Sequence, residues 1–157
     1  MTSQISPALT SAICEQIGHE ISNANIYLYL CGYLRNKGLD KKAELFENQH
    51  SEEIGHSKEF FSLLTDLNAP VVIPEIDGVN SPIETIMDVA KIYLQREILT
   101  TASINEIKKL AIQEDNCIVE EKMRDMISKQ QVEMKESLEF MDMAILLPEW
   151  WMVKLDS

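Results

Sequence analysis

Apolar side chains return at steps of three, four or seven from Leu9 onward: Leu9, Ile13, Ile17, Ala24, Tyr27, Cys31 and Leu34. That period predicts a helix over 7–36, with Ser6 as its cap, Pro7 in its first turn and Gly38 as its stop. A second run over 39–68 carries Phe46, Phe60, Leu64 and Leu67 on one stripe. Residues 69–80 then lose the helical period and contain Pro70, Pro74 and Gly78. Ser81-Pro82-Ile83-Glu84 has the pattern of a capping box, which predicts a third helix over 82–114 with Ile83, Ile86, Ala90, Tyr93, Ile104 and Ala111 inward. Asp115-Asn116 supplies a break and a new cap. A fourth helix over 117–147 turns Val119, Met123, Met126, Phe140, Met141 and Ala144 inward, and Pro148 stops it. The tail 148–157 is expected to form a short amphipathic turn or helix.

Helices of about thirty residues are about 45 Å long, and the twelve-residue stretch 69–80 spans about 40 Å when extended. The first and second helices, and the third and fourth, are joined by a few residues and must be antiparallel hairpins. The long stretch between the hairpins can cross the whole bundle. The expected fold is therefore all-α, a four-helix bundle with one long crossover and a shortened fifth segment, as a single domain over 1–157.

Composition narrows the partners. A formal net charge of −12 over 157 residues argues against nucleic acid and suits a protein that attracts cations. No run approaches the length of a membrane span, and the N-terminus lacks the basic start and apolar block of a secretory signal, so a cytoplasmic location is expected. Cys14, Cys31 and Cys117 are odd in number and far apart, which predicts reduced thiols rather than disulfides or a zinc site.

The informative positions are acidic residues inside apolar stripes. At 100° per residue, Glu20 falls within about 20° of Leu9, Ile13, Tyr27 and Cys31. Glu97 is equally close to Ile86, Ala90 and Ile104. Glu53 lies between Phe46 and Phe60 with His56 at the edge of that face, while Glu47, half of a competing Glu47–His50 pair, points away. Glu133 is in line with Met126, Phe140 and Ala144, one turn after Gln130. All four glutamates fall near mid-helix and so meet at one level. Four buried carboxylates would cost several kcal/mol each unless compensated. Compensation can come from divalent cations, or from a basic partner such as Lys122 or Lys129 beside the fourth stripe. His19, about 100° off its stripe, reads as a surface residue.

These residues resemble the bacterial non-haem ferritins: Glu20 with Tyr27 seven later, Glu52-Glu53-Ile54-Gly55-His56, Gln95-Arg96-Glu97, and Gln130 with Glu133, at matching intervals over nearly the whole chain. The resemblance implies a ferroxidase in which Glu20, Glu53 and His56 hold one iron and Glu53 bridges to a second held by Glu97 and Glu133. It sets Gln130 beside the second iron and Tyr27 nearby as a hydrogen-bonding or redox-active group. It also implies Fe(II) and dioxygen or hydrogen peroxide as substrates, and self-association into a 24-subunit cage that stores ferric mineral. Two departures are visible. Glu52 matches one ligand of a third iron site, but the matching positions on the fourth helix are Lys129 and Val132. The tail is shorter than the family's loop plus fifth helix. Haem is not expected, because the second helix lacks the methionine that binds it in bacterioferritins. The absence of a second Glu-x-x-His predicts weaker hold on the second iron, and hence iron as a transient substrate. The rival readings are a rubrerythrin-like di-iron oxidase or peroxidase, and a ferritin-fold assembly without catalysis. Trp150 and Trp151 are expected to dock on the fourth helix or a neighbouring subunit; an exposed pair would suggest an interaction surface.

Overall fold

The computed structural model describes residues 2–156. Four long helices, α1 (Pro7–Asn36), α2 (Asp40–Asp66), α3 (Ile86–Gln113) and α4 (Cys117–Leu146), are followed by a short α5 (Glu149–Asp156). No strand occurs among the described residues. The Ser6 hydroxyl caps α1 by accepting from Leu9 N at 3.0 Å, and Asn116 caps α4 by accepting from Val119 N at 3.1 Å. Between α1 and α2 the chain reverses through Gly38 at φ 75°, a left-handed conformation that glycine adopts without a Cβ clash.

The third helix starts four residues later than its sequence suggests. Ser81-Pro82-Ile83-Glu84 satisfies a capping box on paper, yet the working box is Thr85 with Asp88. Thr85 Oγ1 accepts from Asp88 N at 3.2 Å, and Asp88 Oδ2 accepts from Glu84 N and Thr85 N, both at 3.0 Å. Residues 67–85 thus form a longer connection than the predicted 69–80. The Ser81 carbonyl is engaged from outside, accepting from Tyr29 Oη at 2.6 Å, which ties this stretch to α1 instead of to a helical turn.

Contact between the crossover and α1 depends on Gly18. A Cβ there would lie 2.3 Å from Pro74 Cγ and 3.5 Å from Ile76 Cδ1. The proline ring cannot fold out of the way as a flexible side chain would. Gly18→Ala is therefore expected to lower stability by about 1–3 kcal/mol, read as an earlier urea midpoint. An unchanged midpoint would show that the crossover does not rest on this face.

The tail lies against the start of α2. Leu39, the N-cap of α2, offers no side-chain hydrogen bond. Asp156 does this from the other end of the chain, accepting from Lys41 N at 2.8 Å and pairing with Lys42 Nζ at 2.9 Å. Met152, 1% exposed, fills the gap beneath α5. Asp156→Ala is expected to remove about 1 kcal/mol, the usual loss for a helix cap, and to loosen α5 in hydrogen exchange. The tryptophans stand outside this contact: Trp150 is 67% exposed, with Trp151 edge-on to it at 5.5 Å between ring centroids.

The core comes in two parts. One gathers Leu9, Ile13 and Ile17 of α1, Phe60 and Leu64 of α2, Ile104 and Ala111 of α3, and Met123 and Met126 of α4. The other gathers Tyr27, Leu30 and Leu34, Ala43 and Phe46, Ala90 and Tyr93, and Phe140. Between them, at mid-helix on all four long helices, the buried residues turn polar: Glu20, Asn23, Gln49, Glu53, Glu97, Thr100, Gln130, Glu133 and Ser137.

Candidate metal centre

The polar layer contains two groups of side chains whose ligand atoms lie within 4.8 Å of one another: Glu20, Glu53 and His56, and Glu53, Glu97 and Glu133. Glu53 belongs to both. Glu53 and His56 face the same way because residues three apart on a helix share a face, and His56 Nδ1 stands 3.7 Å from Glu53 Oε1 and 3.9 Å from Glu20 Oε2. Its other nitrogen, Nε2, is 3.7 Å from Glu133 Oε1. Two donors on one ion with bonds of about 2.1 Å stand at most about 4.2 Å apart. Each group therefore needs to contract only slightly to close on a cation.

Glu20, Glu53 and Glu97 are fully buried and Glu133 is 4% exposed. One oxygen each of Glu20, Glu53 and Glu133 is buried with no hydrogen-bond partner. Buried polar atoms are rarely left without a partner, and these oxygens belong to the two carboxylate groups whose donor atoms lie close enough together to suit a cation. Lys122 and Lys129 do not compensate them, because both pair with Glu59 instead, at 3.0 and 2.8 Å. Among the described residues, the only basic side chain paired with the four glutamates is His56.

Protonation follows from that crowding. Burial, then the charge of Glu53, pushes the Glu97 carboxyl up to about 7. Burial, with Glu53 and Glu97, pushes Glu133 up to about 10. Burial also raises Glu20 well above the usual carboxylate range. Glu53 goes the other way. Burial would raise it, but the nearby Glu20 carboxyl and His56 imidazole, with the hydrogen bond from Asn23, hold it below its ordinary value. His56 is raised: burial disfavours its charge, and the Glu53 carboxylate overcomes that. Glu53 is thus held towards its ionised form, while Glu20 and Glu133 are held towards their protonated forms and Glu97 lies between.

The remaining expected site residues fall around this cluster. Tyr27 Oη donates to Glu97 Oε1, and Gln130 Nε2 donates to Glu97 Oε2 and, at 3.3 Å, to the Glu97 carbonyl. Gln130 thus reaches the Glu97 carboxyl through its nitrogen. Glu52 is exposed and lines a groove of about 570 Å³ between α2 and α4 with His56, Glu59, Lys129, Val132, Glu133 and Glu136. Lys129 and Val132 contribute no carboxylate there. Glu47 turns outward and pairs with Arg35, and His50 Nδ1 is bound to the Ala24 carbonyl at 2.7 Å, so neither joins the centre. His19 corrects its expected surface position. It is half-buried, with Nε2 2.7 Å from Thr100 Oγ1, because α3 covers the flank of α1 that a single-helix stripe leaves open.

A sequence profile of the ferritin-like domain matches residues 10–143, from the first turn of α1 to near the end of α4. The chain belongs to the ferritin family. Among curated relatives it is 25% identical over 103 residues to a bacterial non-heme ferritin of Campylobacter jejuni, and 22% identical over 103 residues to a probable bacterial non-heme ferritin-like protein of Haemophilus influenzae. Each match covers 66% of this chain and 62% of the relative's length. In three dimensions it resembles an open-pore ferritin from the hyperthermophilic archaeon Archaeoglobus fulgidus, with a TM-score of 0.93 at 22% identity over 99% of this chain and 96% of that one. At that identity the likeness shows the fold.

For a ferritin-family chain, the inner hydrogen-bonding shell is what the stripes alone did not reveal. Gln16 Nε2 donates to Glu20 Oε1 at 2.9 Å, and Asn23 Nδ2 donates to Glu53 Oε2 at 3.2 Å. Thr100 and Arg96 complete that contact. A signal was present: Gln16 and Asn23 lie four before and three after Glu20, and Thr100 lies three after Glu97, on the faces those glutamates share.

Proposed function

We propose that this ferritin-family protein is a ferroxidase that oxidises Fe(II) and stores the product as ferric mineral inside an oligomeric shell. The observation that carries the reading is the polar layer itself: two carboxylate-rich triads sharing Glu53, set between two apolar cores, with orphaned oxygens and no Lys or Arg paired to them among the described residues. Hard oxygen donors with one imidazole suit iron.

Glu20, Glu53 and His56 bind the first Fe(II), and Glu53 with Glu97 and Glu133 binds the second. Gln130 and Tyr27 hold Glu97 in place. Each Fe(II) gives up one electron; dioxygen takes the two with two protons and leaves as hydrogen peroxide, or hydrogen peroxide takes them with two protons and leaves as water. Glu20, Glu97 and Glu133 hold protons that iron displaces on binding. The acidic groove at Glu52 and Glu136 gives cations a path to His56 and Glu133. Exposed apolar residues such as Leu28 (50%), Val72 (64%) and Ile73 (52%) support self-association, with the 24-subunit cage as the expected form. No helix among the described residues is long and apolar enough to cross a membrane, and we place the protein in the cytoplasm.

Adding Fe(II) in air tests the reading. Oxidation much faster than in buffer, followed by a soluble mineral on particles near 24 times 17.9 kDa by light scattering, is the expected outcome. Oxidation at the buffer rate would leave only the non-catalytic assembly.

A further inference from the structure

Glu53 has two oxygens in different surroundings. Oε1 is buried, has no hydrogen-bond partner and lies 3.7 Å from His56 Nδ1. Oε2 accepts from Asn23 Nδ2 at 3.2 Å. Asn23 is itself fully buried and gripped from α3: Arg96 Nε donates to its Oδ1 at 2.7 Å, and its Nδ2 also donates to Thr100 Oγ1 at 2.9 Å.

The direction of each bond follows from what the groups can do. A guanidinium only donates, so Asn23 must present its carbonyl to Arg96 and its amino group to Glu53. The Thr100 hydroxyl gives its proton to the Arg96 carbonyl at 2.8 Å, which leaves Oγ1 to accept from Asn23. Arg96 Nη2 lies 3.3 Å from His19 Nδ1, which makes that nitrogen the acceptor and sends the Nε2 proton to Thr100 at 2.7 Å. With no alternative pattern available, the amide cannot flip.

We propose that Asn23, locked by Arg96 and Thr100, is a positioning residue that fixes the rotation of the Glu53 carboxylate so that both triads draw on it at once. The inference rests on the metal-centre reading above. A carboxylate free to turn about its last bond, where the torsional wells are broad, serves one cation or the other. One held at a single lone pair of Oε2 keeps its remaining lone pairs for two cations. The pairing of the two sites, rather than the hold on the first cation, is what Asn23 supplies.

Anaerobic titration with Co(II), followed by its visible absorption, separates these effects because band intensity reports coordination geometry. Wild-type protein is expected to bind two Co(II) per subunit. Asn23→Ala is expected to bind the second equivalent roughly 10- to 100-fold more weakly, the size of a lost hydrogen bond to a charged group, with the first changed far less. Arg96→Met is expected to weaken the second equivalent less, and to add nothing once Asn23 is alanine, since both act through one chain of contacts. Wild-type titration of Asn23→Ala, or an undiminished Arg96→Met effect in the Asn23→Ala background, would overturn the proposal. Should Asn23→Ala fail to fold, Thr100→Val keeps the shape and removes the acceptor that holds the amide. It carries the same expectation, and a wild-type curve for it counts equally against the proposal. If wild type and Glu53→Ala bind Co(II) alike, the metal-centre reading itself falls and takes this inference with it.

Discussion

Glu53→Ala is expected to slow aerobic Fe(II) oxidation by roughly 100-fold or more, to near the rate in buffer, while the helical content is kept. The size of the effect follows from position. Glu53 is the one residue in both triads, so on the proposed reading its loss removes a ligand from each cation and the link between them. Paired one-electron donors must sit together to serve a two-electron acceptor, and displacement by about an ångström can reduce such a reaction by about two powers of ten. Glu133→Ala, which touches only the second triad, should leave one cation bound and lower the rate less. Glu52→Ala, on the exposed groove, should mainly slow cation access. Stopped-flow absorbance of ferric product resolves the three, and equal rates in all of them would remove Glu53 from its bridging role.

Loading the centre with a divalent cation is expected to reverse the pH dependence of stability and release protons. In the metal-free protein Glu97 is raised to about 7 and Glu133 to about 10, against an ordinary 4.5. The folded state therefore binds more protons than the unfolded chain across that window. Their contribution to stability is fully present below pH 4.5 and is lost as pH rises through about 7 for Glu97 and towards about 10 for Glu133. Glu53, depressed by Glu20, His56 and Asn23 beside it, acts oppositely and loses its contribution only on acidification below its ordinary value. Metal-free protein should thus melt lower by roughly 5 °C or more at about pH 8.5 than at about pH 5.5. Protein loaded with Co(II) should melt higher at the alkaline end, because the cation replaces the protons. Near neutral pH, binding a pair of cations should release roughly three protons, since Glu133 and Glu20 must give theirs up and Glu97 and His56 part of theirs. Calorimetric titration in two buffers of different ionisation enthalpy counts them, and identical heats in both buffers would contradict the protonation pattern.

How far the site was readable differs from residue to residue, for physical reasons. Glu20, Glu53, Glu97 and Glu133 stood out because a carboxylate in an apolar stripe contradicts its neighbours, and the contradiction needs only the helical period to be seen. Asn23 and Thr100 sit in the same stripes, but small polar residues there raise no such alarm, as they can be satisfied by their own helix. His19 was misread because its neighbour is α3, and one helix does not reveal which flank another will cover. The start of α3 was misread because two capping patterns lie four residues apart, and the choice between them was made by Tyr29 and the path of the crossover across Gly18.

The sequence by itself determined the four long helices and their approximate extent apart from the start of α3, the short turns at Gly38 and Asp115-Asn116, and the level at which the acidic residues lie. These are local properties, set by the 3.6-residue period, by caps and by glycine. Only the tertiary structure decided that the four glutamates converge as two triads sharing Glu53, and that Lys122 and Lys129 go to Glu59 instead. It also decided that Asn23 is gripped by Arg96 and that Asp156 caps α2 from the far end of the chain. Each of those is a contact between distant segments. A contact of that kind depends on the azimuth and crossing of helices packed together, which no single helical period contains.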